Sequence, residues 1–260
     1  MTQTDRKERS DKGCVRINAR DFRCLSWLLE MGSAYENDLA IVLDPAMRTS
    51  RDAARAVVRR WKQADLVRAD GLLANRGRIV RLTQNGARLV GEVERGAVEP
   101  VTAAVHAAEA ARTRLLLELR PPVAGLPVVG WVSGQRWRVE NESAVSAGAR
   151  VPDGVAWLAD GSSAAVRVER VFRGMPAVIT GAVDLLRRFP RVIYAVPEMS
   201  DGLSGLVEMA LAEAVGQLRA DGSRPGTATF VRIPDRLVPD RRAPDRLAPG
   251  SGAPPERVLV

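Results

Sequence analysis

Residues 47–64, MRTSRDAARAVVRRWKQA, limit what this 260-residue chain can fold into more than any other stretch. At about 100° per residue, Arg48, Arg51, Arg55, Arg59 and Lys62 fall along one stripe of a helix. Ala54, Val57, Trp61 and Ala64 fall along another, roughly opposite. One face suits burial and the other suits negative charge. Thr49 or Ser50 can cap the start, because a hydroxyl accepts from an otherwise unpaired N–H. The stretch holds six basic residues and a single acidic one, Asp52, whereas a merely solvated face mixes signs. Residues 65–68 then read as a short strand, DGLLANRG as a loop, and residues 78–82 as a returning strand. A basic helix feeding a basic-tipped hairpin predicts a winged helix-turn-helix that binds double-stranded DNA. Arg48, Thr49, Ser50, Arg51, Arg55, Arg59 and Lys62 would meet the major groove, and Arg76, Arg78 and Arg81 the phosphate backbone.

Composition narrows the partner. A formal net charge of +8 favours a polyanion, and nearly all the basic residues are Arg, whose fork suits phosphates and base edges. Aromatic residues make up 4%, too few for a platform that stacks single strands. Cys14 and Cys24 show no Cys-x-x-Cys or Cys/His spacing, so no zinc site is expected. The opening MTQTDRKERSDKG lacks the apolar core of a signal peptide, and no apolar run is long enough for a bilayer. The expectation is a cytoplasmic protein with no membrane partner. A homodimer would suit a protein of this kind, but no clean heptad marks one.

Taken in order, residues 1–18 read as a disordered basic arm. A core helix at 19–31 and a short helix at 35–43 precede the basic helix, and another helix restarts at Thr83, giving a first domain over 19–97. Residues 98–121 form an Ala/Leu-rich connecting helix with the only histidine, His106, expected to make one hydrogen bond at a domain junction. Pro121-Pro122 marks the boundary. Residues 122–233 read as mixed α/β: an apolar segment around Trp131 and Trp137, a hairpin of 155–158 and 164–171 turning at Asp160-Gly161, helices at 176–189 and 203–219, and strands at 191–196 and 227–233. The repeat PDRLVPDRRAPDRLAP makes 234–260 a disordered Pro/Asp/Arg-rich tail.

In the hairpin, Asp153 and Glu169 fall near one sheet edge, with Arg167 on the face of Glu169, two residues away. Two carboxylates on neighbouring strands with a trailing basic residue is the layout of PD-(D/E)xK nucleases, where hard oxygen ligands hold Mg²⁺. The trailing residue here would be Arg173, whose guanidinium stays protonated and cannot serve as a Lys does.

The order of motifs resembles the actinobacterial plasmid replication-relaxation family over about residues 20–200. The matching pieces are the step Leu82-Thr83-Gln84-Asn85-Gly86, the Ala-rich helix from His106 to Leu115, the Trp segment from Trp131 to Arg138, the stretch Arg150 to Gly154, and the strand Ala165 to Arg170. The resemblance implies DNA binding linked to plasmids or mobile elements and a nuclease-like second domain. The chain departs from the family at Arg150, near the position of the family's His, and at Arg167, where the first Glu of its E-V-E would stand.

The expected fold class is α+β, an N-terminal winged helix-turn-helix domain followed by a mixed α/β restriction-endonuclease-like domain. The expected function is DNA binding in plasmid or mobile-element replication or maintenance, with no catalysis, no metal and no cofactor. The alternatives are a Mg²⁺-dependent endonuclease using Asp153 and Glu169 (with Arg173), a transcriptional regulator, or an interaction module whose wing binds protein.

Overall fold

The computed structural model describes residues 16–46, 48–71, 77–91, 101–121, 126–198, 200, 202–237 and 258–259. Asn18 opens α1 (Ala19–Met31) with a reciprocal cap: its side chain accepts the Asp21 N–H, and Asp21 accepts the Asn18 N–H. Then follow β1 (Ser33–Tyr35), α2 (Leu39–Leu43), α3 (Arg51–Gln63), β2 (Val67–Asp70), β3 (Ile79–Leu82) and α4 (Gln84–Leu89). The strands make an antiparallel sheet in the order β1-β3-β2. Leu25, Leu28, Leu39, Ala54, Val58 and Trp61 are buried together, and the Trp61 indole donates to Asp21 at 3.2 Å. Both carboxylate and indole are thus satisfied in the core, as burial requires.

The helix expected over 35–43 is corrected here. Tyr35 belongs to β1, paired with Ile79, and only Leu39–Leu43 is helical. Sheet pairing overrides local preference because β1 supplies partners that β3 would otherwise lack. The helix restarting after Thr83 stops at Leu89, and residues 92–100 lie outside the described residues. Gly86 in that step is dictated by packing: a Cβ there would fall 2.0 Å from the Leu66 carbonyl oxygen.

α5 (Val101–Leu119) does more than connect. Ala104, Val105 and Ala108 pack on Tyr35 and Ile79 of the first sheet. Ala111, Leu116 and Leu117 belong to a core that also holds Trp131, Ala156, Val166 and Ile193 from the second half of the chain. One apolar core therefore runs through both halves.

The second half contains β4 (Val128–Ser133), α6 (Gly134–Glu140), α7 (Glu142–Ser146), β5 (Gly154–Leu158), β6 (Ser163–Val168), α8 (Met175–Arg188), β7 (Arg191–Pro197), α9 (Leu203–Ala220), β8 (Thr227–Ile233) and β9 (Val258–Leu259). The sheet order is β4-β5-β6-β7-β8-β9, with β6, β7 and β8 parallel and the remaining pairs antiparallel. Alternation assigns the faces. Val166, Ile193 and Val231 share the core of α5, whereas Ala165, Val192, Tyr194, Ala228 and Phe230 pack with α8 and α9. The described residues thus form a mixed α+β structure with two sheets.

Two expectations change in this half. The strand expected to reach residue 171 ends at Val168, although the Glu169 N–H still donates to Ala195 across the parallel pair. The tail over 234–260 has a place in the fold at both described ends. Arg112 donates to the Asp235 carbonyl at 2.8 Å, Leu237 packs on the core, and Val258–Leu259 pairs with Ala228 and Thr229. Arm residues 1–15 lie outside the described residues, as do 238–257.

Candidate functional site

The first candidate surface is the outward side of α3. Ser50 caps the helix, accepting the Ala53 N–H at 3.2 Å, and Thr49 donates to Asp44. Ala54, Val57, Val58 and Trp61 are buried, while Arg48, Arg55, Arg59 and Lys62 are exposed. Arg48 precedes the helix, its side chain 84% exposed and its Nε 4.0 Å from Asp44. Arg55 donates to Asn37 at 3.2 Å and sits 3.5 Å from Asp52. Two members of the expected set stand apart. Arg51 is half-buried, close enough to Asp38 to act on its charge. Arg81 is held across the hairpin by Asp70 at 2.6 Å, with only 16% of its side chain exposed. Arg78 is exposed just before β3, and Arg76 lies outside the described residues.

The second candidate gathers residues from four places in the sequence. Asp153, just before β5, accepts the Val168 N–H with Oδ2 at 2.7 Å. Its Oδ1 lies 2.8 Å from His106 Nε2 on α5 and 3.4 Å from Arg167. Arg167 also reaches Glu169 Oε1 at 3.3 Å. Burial would raise the Asp153 pKa, but the His106 hydrogen bond and the Arg167 charge outweigh it and hold the carboxyl below its ordinary value. On the α8 side, Arg150, Arg167, Glu169, Arg173 and Tyr194 line a cleft. Burial pushes the Tyr194 hydroxyl well above its ordinary value, so it stays protonated and can donate.

The same geometry bears on whether these carboxylates suit a divalent ion. Both oxygens of Asp153 already have partners, and Glu169 faces the same guanidinium. A divalent ion between the carboxylates would meet Arg167, and charge repulsion at about 4 Å is worth several kcal/mol even at an effective dielectric near 20. The residues therefore do not fit Mg²⁺. Among the described residues no group of three or more His, Cys, Asp or Glu could hold a metal ion. Cys24 is buried, which pushes its thiol well up and keeps it protonated. No described helix is long and apolar enough to cross a membrane.

Sequence reading singled out Arg167 and Glu169 by strand alternation, Asp153 by its place on the neighbouring strand, and Arg173 only as the trailing basic residue of a nuclease-like layout. His106 was expected to make one hydrogen bond at a junction, and it does, but nothing local identifies Asp153 as its partner. Tyr194 was missed, since an aromatic in an apolar strand reads as core. Arg150 entered only as a departure from a family pattern.

A depressed pKa carries a stability consequence. The Asp153 contribution is present above the unfolded value of about 3.9 and is lost as pH falls through the folded one. Asp153→Asn should therefore cost about 1–3 kcal/mol at pH 7. The gap to wild type should narrow as the pH drops below about 4. Urea unfolding at a series of pH values checks this, and a gap that widens in acid would contradict it.

No family model matches the chain, and a search of the curated proteins finds no match.

Proposed function

We propose that the protein binds double-stranded DNA through α3 and the β2–β3 hairpin, in the manner of a winged helix-turn-helix. The observation that carries the reading is the division of α3: its apolar side is buried, and Arg55, Arg59 and Lys62 stand exposed on the other, with Arg48 just before it. The antiparallel order β1-β3-β2, with α3 feeding β2, supports it. Groove binding by such a helix takes its affinity from phosphate contacts and its selectivity from base edges. In this reading the second half is a nuclease-like unit without catalysis, because Arg167 engages the two carboxylates that a metal would need. The resemblance to the plasmid replication-relaxation family favours a role in replication or maintenance of a plasmid or mobile element. Selection of duplexes from a random pool, followed by footprinting, tests the reading: recovery of a protected, enriched site supports it, and no enrichment contradicts it.

Supercoiled plasmid incubated with Mg²⁺ or Mn²⁺ should remain unnicked by the wild type. Arg167→Glu, which removes the guanidinium and adds a carboxylate, should bind Mn²⁺ more tightly than wild type. Robust nicking that disappears in Asp153→Ala would return the chain to the endonucleases.

A further inference from the structure

The cleft beside α8 contains more positive charge than its carboxylates account for. Arg150, Arg167 and Arg173 line it, with Glu169 as the one acidic residue in the lining. Glu169 turns its Oε1 to Arg167 at 3.3 Å, and Arg167 also reaches Asp153, so the single guanidinium is shared between two carboxylates and it is Arg150 and Arg173 that tip the local balance to positive. Arg150 and Arg173 are exposed, and neither guanidinium has an ion-pair partner among the described residues. A third donor comes from beneath. Tyr194 is 1% exposed, its hydroxyl makes no hydrogen bond among the described residues, and its ring lines the same cleft. The side chain as a whole is buried, but its hydroxyl is not among the fully enclosed unpartnered atoms, and a phenol O–H at a basic cleft is placed to meet an acceptor.

The position agrees with this. The cleft lies at the carboxyl end of β6, where ligands of α/β sheets gather. It is bounded by Ala177, Val178 and Gly181 from the first turns of α8, a 14-residue helix whose N-cap, Gly174, supplies no side-chain acceptor. The first turn of such a helix therefore adds positive potential on that side of the cleft. Two guanidiniums, one protonated phenol and a helix N-terminus all present donors or positive charge, which selects a tetrahedral oxyanion over a cation or an apolar group.

From this convergence we infer that the cleft binds a phosphate group, held by Arg150 and Arg173 and by the hydroxyl of Tyr194. The site is separate from the α3 surface and stands whether or not α3 binds DNA. Free phosphate, a mononucleotide and the terminal phosphate of a nucleic acid strand all carry the chemistry it recognises.

Calorimetric titration of the full chain with inorganic phosphate and with deoxyadenosine 5′-monophosphate tests it, with deoxyadenosine as the control. Wild type should show saturable binding of at least one phosphate compound and none of the nucleoside. Arg150→Gln/Arg173→Gln should weaken it about tenfold or more, as expected for loss of charge-assisted hydrogen bonds. Both residues are exposed, so the fold should persist, and an unchanged melting curve verifies that. Tyr194→Phe keeps the ring and should weaken binding by a smaller factor, while Arg55→Glu/Arg59→Glu should leave it unchanged. The source is read in that α3 variant, with matched oligonucleotides bearing a 5′-phosphate or a 5′-hydroxyl. Preference for the phosphorylated strand assigns a strand terminus, and binding of the small compounds alone assigns a free phosphate or nucleotide. Absence of saturable phosphate binding by wild type, or equal affinity in Arg150→Gln/Arg173→Gln, would overturn the inference.

Discussion

Arg112→Leu is expected to destabilise the protein by about 3–5 kcal/mol at pH 7, the usual cost of removing one partner of a buried ion pair. Arg112 is 2% exposed on α5 and donates to Asp38 at 2.7 and 3.3 Å. Its guanidinium also stacks 4.0 Å from the centre of the Tyr35 ring and reaches the Asp235 carbonyl. One side chain thus ties the first half of the molecule to α5 and to the chain leaving β8. Burial pushes the Asp38 carboxyl above its ordinary value even though the Arg112 charge pulls it down. Without the guanidinium, Asp38 must take up a proton to remain buried, so the loss should shrink as pH falls. Arg112→Leu/Asp38→Leu should recover much of the stability, because apolar residues replace a buried pair at little net cost. Urea unfolding followed by tryptophan fluorescence measures all three chains, and a loss under about 1 kcal/mol in Arg112→Leu would contradict the account.

The second large effect concerns the basic surface. Arg55→Glu and Arg59→Glu should each lower affinity for duplex DNA about 10- to 100-fold, as expected from losing a charge-assisted contact to phosphate. Reversal to an acid adds repulsion to that loss. Folding should be untouched, since both side chains are exposed and the core contacts of α3 come from Ala54, Val57, Val58 and Trp61. Fluorescence anisotropy with a labelled duplex reads the affinity, and a melting curve reads the fold. Unchanged binding in both variants, with normal melting, would move DNA contact away from α3.

How much of this could be read from the sequence depends on the range of the interactions. α3, α8, α9 and strands β5 to β8 announce themselves through local periodicity, and observed bounds fall within a few residues of the expected ones, whereas β4 was read only as an apolar segment and β9 not at all. β1 did not, because three residues are too few to display alternation and the apolar run that follows reads as helix. The Asp153–Arg167–Glu169 cluster was legible because neighbouring strands and two-residue alternation are local rules. The His106–Asp153 contact joins residues 47 apart, and Arg112–Asp38 joins residues 74 apart. Such pairs depend on how α5 docks, which no local pattern encodes. The same holds for Arg81: its position on the hairpin was visible, but its partner Asp70 across the strands was not weighed. Pro and charge in the tail led to the expectation of no regular structure, and they say nothing of Leu237 or the β9 pairing at its ends.

The central claim is that exposed cations on and around α3 meet phosphates, and the salt dependence of duplex binding tests it most directly. Arg48, Arg55, Arg59, Lys62 and Arg78 are exposed. If each neutralises one phosphate, the logarithm of the association constant should fall linearly with the logarithm of salt concentration, with a slope of about −4.5. In Arg59→Glu the slope should flatten by about one unit. A slope near zero in the wild type, or a steep one unaffected by Arg59→Glu, would contradict the account.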